Sequence, residues 1–294
     1  MRVLLTGATG FIGSKLRQEL VEAGHEVLAV TRSVPPVESP ALACRWLRLD
    51  LEHSAVPPRS LGVEAVVYLA QSRHYRDFPA RAQEIFAVNA TALLAWLSWA
   101  RAEGVGDFVY TSSANVYRPS LLPLAESAPV APGSFYARSK LVGEQLLESF
   151  SPFLACTTFR LFTVYGEGQS DMLIATLINR IRSGEAVQLQ GPGGLRLSPL
   201  HVSDATSFLR RALTRDRPRT KQVFNLCGPD GLTLRQIAEQ IGEVVGRAPV
   251  FEHQDGPAPS GWIGDSAAVA LEFGAVPALK FAEGIRRTIE ADRP

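Results

Sequence analysis

The chain has 294 residues, 46% hydrophobic and 20% charged, with 30 Lys and Arg against 29 Asp and Glu and a net charge of +1. That length suits one large domain or one domain with a smaller companion, and a near-neutral chain without a basic run offers no electrostatic footprint for nucleic acid. The longest apolar runs meet a charge or a glycine before about 18 residues, so no membrane-crossing helix is expected, and the start is unlike a signal peptide.

Short apolar, β-branched runs alternate with stretches of helical period along the first half. Strands are expected at "RVLLT" (2–6), "EVLAVT" (26–31), "CRWLRLD" (44–50), "AVVYLA" (65–70), "DFVYTSS" (107–113) and "CTTFRLF" (156–162). Amphipathic helices are expected at 11–24, 80–104 and 135–150, several of them ending at glycine. Continuous apolar strands alternating with helices predict an α/β fold, a doubly wound parallel sheet covered on both faces. Beyond about residue 165 the pattern loosens. A helix (171–183), "AVQLQG" (186–191), "PLHVSDATSFLRRAL" (199–213), "QVFNLCG" (222–228), a helix (233–246), a Pro/Gly-rich stretch (253–265) and a last helix (279–291) follow. The expected division is a Rossmann-type dinucleotide domain at 1–165 and a smaller substrate-binding lobe at 166–294. The chain is expected to cross between them near 199–203 and 222–228. Cys44, Cys156 and Cys227 are scattered without metal-ligand spacing. They are expected to be reduced thiols of a cytoplasmic protein that holds no metal.

The first strand runs into "TGATGFIG" (6–13) and directly into a helix. Glycine at such a turn lets the backbone approach a pyrophosphate, and the helix N-terminus supplies free N–H groups and the positive end of its dipole. Gly7, Gly10, Phe11, Ile12 and Gly13 are therefore expected to bind a dinucleotide. A second feature lies in "SFYARSKLVGEQLL" (134–147), where Tyr136 and Lys140 are four residues apart and share a helical face. The chain has six tyrosines and four lysines, so such a pair is expected by chance only about 0.1 times.

The G-x-x-G-x-x-G spacing, with further segments in order, resembles the extended short-chain dehydrogenase/reductase superfamily, the group of NAD-dependent epimerases, dehydratases and ketoreductases that includes nucleotide-sugar epimerases. The segments are Asp50-Leu51, "YLA" (68–70), Asn89, "TSSANVY" (111–117), Tyr136-x-x-x-Lys140, "RLFTVYG" (160–166), "HVSD" (201–204) and "VFNLCG" (223–228), and they cover nearly the whole chain. The resemblance implies a catalytic set of Ser113, Tyr136 and Lys140, with Ser112 the second choice of serine. It implies cofactor contacts from Asp50, Leu51, Leu69, Ala70 and Asn89 and from Tyr136 and Lys140 themselves. The chemistry agrees: hydride transfer at a carbinol carbon needs a proton acceptor and donor, and a nearby ammonium makes a phenol a better base. At the end of the second strand, "VTRS" (30–33) carries Arg32 where NAD enzymes usually carry an acid, so NADP is expected ahead of NAD.

Two departures bear on the substrate. Nucleotide-sugar members commonly have Asn where this chain has Thr163, and in "RLSPLHV" (196–202) Arg196 comes one place early, with Leu197 at the usual arginine position. A shift of one residue in a strand reverses the face. Arg73 and His74, in the loop 71–81 after the fourth strand, join Thr163 and Arg196 as expected substrate contacts. Residues 118–133, between Ser113 and Tyr136, are expected to form a lid. Trp96 and Trp99, on the long helix, suit either the core or a homodimer face, and family analogy favours the dimer face. The leading expectation is an NAD(P)-dependent epimerase or oxidoreductase acting on a nucleotide-activated sugar. The alternative is an NADP-dependent carbonyl reductase on a non-sugar ketone, and a lesser one is a non-catalytic dinucleotide-sensing regulator.

Overall fold

The structure is a computed structural model and describes residues 1–33, 44–213, 223–256 and 260–291. The chain forms two units, each built from three segments. Residues 1–116, 131–160 and 206–224 make the first, and 117–130, 161–205 and 225–294 make the second. The chain thus passes from one unit to the other at 116, 130, 160, 205 and 224.

Among the described residues the central sheet has seven strands. Six are β1 (Arg2–Thr6), β2 (Glu26–Thr31), β3 (Cys44–Arg48), β4 (Ala65–Tyr68), β5 (Asp107–Ser113) and β6 (Ala155–Leu161), and the seventh is Val223–Leu226. Their order is Val223–Leu226, β6, β5, β4, β1, β2, β3, the doubly wound arrangement. β1 pairs in parallel with β2 on one side and β4 on the other, with Leu4 opposite both Leu28 and Val66. Residues 3–5, 27–29 and 65–67 are almost fully buried, as near-continuous apolar strands covered on both faces require. The strand order reverses between β1 and β4, and the carboxyl ends of such neighbours are where α/β sheets bind ligands.

Helix α1 (Phe11–Glu22) follows β1, and α4 (Phe135–Phe150) matches its expected bounds. The expected helix at 80–104 is three pieces: α2 (Ala82–Phe86), a π-helical turn (Ala87–Thr91) and α3 (Ala92–Ala102). Together they make a 21-residue run that is long and apolar enough to cross a membrane, contrary to the sequence expectation. Leu93, Trp96, Leu97 and Ala100 nevertheless lie fully buried in the core beneath the sheet. The same packing corrects the expectation for the two tryptophans. Trp96 is fully buried with its indole N–H on the Ala55 carbonyl, and Trp99 belongs to the same core, whereas Phe86 and Leu94 carry the exposed apolar surface of this run.

The second unit has its own core, formed by helices Leu173–Ser183, Leu234–Val245 and Phe281–Ala291 through Ile178, Ile181, Ile237, Ile241, Phe281 and Ile285. Of the two expected crossing strands, Val223–Leu226 joins the central sheet. Leu200–His201 instead pairs with Val164–Tyr165 inside the second unit. Gln222 and residues 257–259 of the Pro/Gly stretch lie outside the described residues.

Candidate active site

The carboxyl ends of β1, β4 and β5 carry the site residues of the first unit. Gly7 follows β1 with φ +66, and a Cβ there would stand 3.1 Å from both the Ala70 nitrogen and the Leu69 carbonyl carbon. At Gly13 a Cβ would lie 2.0 Å from the Gly7 oxygen. Helix α1 therefore starts hard against the turn, and only glycine permits it. The N-cap is Gly10 and no side chain caps the first turn, which leaves its N–H groups for an anion. Thr6, fully buried, accepts from the Leu69 and Ala70 N–H groups at 3.1 Å each and so ties the two loops together. This cradle fits a dinucleotide pyrophosphate. Thr6 escaped the sequence reading because only the pairing of β1 with β4 shows what its hydroxyl meets.

Arg32 ends beside β3. Its guanidinium pairs with Glu52 at 2.8 Å, and its carbonyl accepts from Arg48. Asp50 caps the short 3-10 turn Leu51–His53, accepting from the Glu52 N–H at 3.0 Å, and Leu51 is 7% exposed within the core. Asn89 sits in the π turn, fully buried. Its carboxamide accepts from the Ser72 N–H and donates to Ser139 Oγ, both at 2.9 Å. It thereby fixes the start of the loop after β4 against α4, between Tyr136 and Lys140. Such turns inside helices recur at functional sites.

The three expected catalytic side chains converge. Ser134 caps α4 through the Ala137 N–H, which sets the first turn that bears Tyr136. Tyr136 is half-buried and its hydroxyl donates to Gln71 Oε1 at 3.2 Å, while the Ser113 hydroxyl, which accepts from the Asn115 N–H, lies near enough to favour the phenolate. Burial pushes the phenol up to about 12, Ser113 opposes that, and the adjacent Tyr75 adds to it. Lys140 is 1% exposed; its ammonium donates to the Thr111 carbonyl at 2.9 Å and lies 5.1 Å from the Tyr110 ring centre and 6.0 Å from that of Tyr136. Burial lowers its pKa to about 7, against the raising influence of Glu144. The expected lowering of the phenol by the lysine does not appear: burial raises the phenol, Ser113 is the group that opposes it, and burial lowers the amine. Ser112, on the opposite face of β5, is buried and donates to Glu144, which leaves Ser113 as the serine facing Tyr136.

The loop after β4 packs over the phenol. The Tyr75 ring lies 5.3 Å from that of Tyr136, and Arg76 lies 5.0 Å over Tyr75. His74 is held by Asp77 at 2.9 Å and accepts from Arg73 at 3.1 Å. Thr163 and Arg196 belong to the second unit. Arg196 donates to the Leu121 carbonyl at 2.7 Å, and Leu197 is 3% exposed in the second unit's core. The segment expected as a lid is tied into that unit. Ser120 and Leu124 bond the backbone at Gly261 and Ile263, Tyr117 bridges Val130, and Asn225 donates to the Leu124 carbonyl. It is a strap built into the fold rather than a free lid.

A glycine cradle at a sheet's switch point, beside a serine and a tyrosine whose hydroxyls share the carboxyl edge with a buried lysine, defines a dinucleotide-dependent α/β enzyme of the extended short-chain dehydrogenase/reductase type. Comparison with known proteins makes this specific. Residues 3–227 match the model of the NAD dependent epimerase/dehydratase family, and the chain belongs to that family. It is 27% identical over 266 residues to a UDP-glucose 4-epimerase of Corynebacterium glutamicum, covering 84% of this chain and 81% of the relative. It is 28% identical over 258 residues to a 2-alkyl-3-oxoalkanoate reductase of Stenotrophomonas maltophilia, covering 84% and 76%. Among solved structures, MoeE5 in complex with UDP-glucuronic acid and NAD superposes with a TM-score of 0.85 at 28% identity, covering 99% of this chain and 98% of that one.

Proposed function

We propose that this enzyme moves a hydride at a carbinol carbon of a nucleotide-activated sugar, as an epimerase or a 4-ketoreductase, with Ser113, Tyr136 and Lys140 as its catalytic set. The observation that carries the reading is the hydroxyl pair of Ser113 and Tyr136 at the sheet's carboxyl edge, with the Lys140 ammonium one turn along α4. The glycine cradle would hold NAD by its pyrophosphate, and the cofactor would supply the hydride acceptor and donor. Tyr136 gives a proton to the developing alkoxide of a ketone or takes one from the hydroxyl, and Ser113 holds that oxygen. A phenol pushed up to about 12 is protonated at neutral pH, the form ready to donate. Removing its proton in the reverse direction calls on the positive charge of Lys140, which is retained below about pH 7 and falls above it. Residues 114–115 are Ala and Asn rather than an acidic pair, which favours epimerase or reductase over 4,6-dehydratase.

The cofactor reading is NAD. Glu52 already neutralises Arg32, the residue that suggested NADP, and the related MoeE5 binds NAD. A second reading, reduction of a non-sugar ketone, draws support from the oxoalkanoate reductase among the relatives and from Thr163 and Leu197 at two nucleotide-sugar positions.

The test of the catalytic assignment is Tyr136→Phe. Turnover is expected to fall by about a hundredfold or more, with NAD affinity unchanged in a fluorescence titration. Turnover near that of the native protein would remove Tyr136 from the role.

A further inference from the structure

A buried charged cluster lies behind the catalytic set, on the side away from the hydroxyl pair. Glu144 follows Lys140 by one turn of α4, so Tyr136, Lys140 and Glu144 form a ladder along one helical face. Its carboxylate receives both Nε and Nη2 of Arg160 from β6, at 3.0 and 2.6 Å, and the Ser112 hydroxyl from β5, at 2.5 Å. Both ends of the ion pair are almost sealed from solvent, at 7% and 6% side-chain exposure. A buried ion pair is a poor source of stability, because stripping water from two charges offsets most of their attraction. A well-packed apolar pair would serve the core as well, so a charge kept here calls for a use.

Two features of the packing supply one. Gly143 lets α4 approach β5 so closely that a Cβ there would sit 2.3 Å from the Tyr110 hydroxyl. At that closest approach, Ser112 is bonded to Glu144, while Thr111 on one side of it holds the Lys140 ammonium through its carbonyl and Ser113 on the other side meets Tyr136. Three consecutive residues of one strand end are therefore each tied to α4, and the middle tie is to a carboxylate.

We propose that the Arg160–Glu144–Ser112 cluster is a positioning device for the proton-transfer set, in which Glu144 locks the end of β5 against α4 and sets a fixed negative charge one turn behind the Lys140 ammonium. Arg160 orients that carboxylate with a two-pronged grip. Tyr110 from β5 and Tyr136 from its own helix flank the lysine, both held neutral by burial, and the Arg160 guanidinium from β6 lies on the far side of the carboxylate, so Glu144 is the group that raises the buried amine against its desolvation. This inference rests on the catalytic set proposed above, but its measurement does not depend on the substrate.

The chain has four lysines, so selective ¹³C labelling of lysine resolves the titration of Lys140 in the whole protein, assigned with Lys140→Met. In the native protein Lys140 is expected to titrate near 7. In Glu144→Gln the loss of the negative charge lowers that midpoint by about one unit, because removing a favourable partner favours the neutral amine. Glu144→Asp, which keeps the charge, returns it toward the native value. Since Glu144→Gln leaves Arg160 buried and unpaired and can fail to fold, Glu144→Gln/Arg160→Met is the companion, with a smaller shift of the same sign expected. A folded variant, judged by its melting curve and its NAD titration, in which the Lys140 midpoint does not move overturns the proposal. A shifted midpoint in a protein that turns over no nucleotide sugar would instead sink the substrate reading and leave the cluster's role standing.

Discussion

Arg32 shows how one partner changes what a residue says. By position it invites a 2′-phosphate; in the fold its guanidinium lies on Glu52, four residues beyond the end of β3. A carboxylate there neutralises the arginine and repels a phosphate, so it works against NADP. Glu52→Gln is expected to raise NADP affinity by about tenfold while leaving NAD nearly unchanged, the worth of one charge-assisted hydrogen bond made available. Paired titrations of the two dinucleotides check it, and an unchanged ratio of affinities contradicts it. Arg32 could be picked out from the chain, but Glu52 could not, because the pair joins the ends of two strands that only the sheet brings side by side. The same holds for Tyr136 and Lys140. Spacing marks them as stacked, whereas the upward shift of the phenol and the downward shift of the amine come from burial under the loop after β4 and against β5.

At the scale of elements, α4 carries the most function and was also the most legible. Its bounds follow from the Ser134 cap and an uninterrupted amphipathic period. Its one irregular residue, Gly143, sits in the interior, where glycine costs roughly 1 kcal/mol relative to alanine. That cost was the available signal that the helix passes close to something. Gly143→Ala puts a methyl 2.3 Å from a fully buried tyrosine hydroxyl and 3.1 Å from Leu93 Cδ2. It is expected to cost about 1–3 kcal/mol by overpacking. A drop in melting temperature should follow, with lowered turnover because Lys140 and Glu144 flank the site. Gly133→Ala, with nothing within 4 Å of its Cβ, serves as the control and should melt as the native protein does. Equal melting of the two variants would contradict the close-packing account. The π turn at Ala87–Thr91 was not legible, since one extra residue in a helical turn barely alters an apolar period. Yet it is this turn that holds Asn89 between the loop after β4 and α4.

Over the whole molecule, the alternation of apolar strands and helices announced the doubly wound sheet, and the glycine turn announced its ligand edge. The interleaving of two three-segment units was less readable. Short strands such as Val164–Tyr165 and Leu200–His201 carry too few residues to show a period, and their pairing is decided by tertiary contacts. The strap at 117–130 looked like a loose connection because its partners, Gly261, Ile263 and Asn225, lie about a hundred residues or more along the chain. Substrate identity is the least legible property, since the two positions that usually grip a sugar diphosphate carry Thr163 and Leu197. The most direct measurement is incubation of the protein and NAD with a panel of UDP- and dTDP-hexoses and hexuronates, followed by NMR of the sugar ring, beside a panel of free ketones with NADH and NADPH. The account predicts that at least one nucleotide sugar is epimerised or reduced at a ring carbon and that Tyr136→Phe stops it. Reduction of a free ketone with every nucleotide sugar left untouched would contradict it.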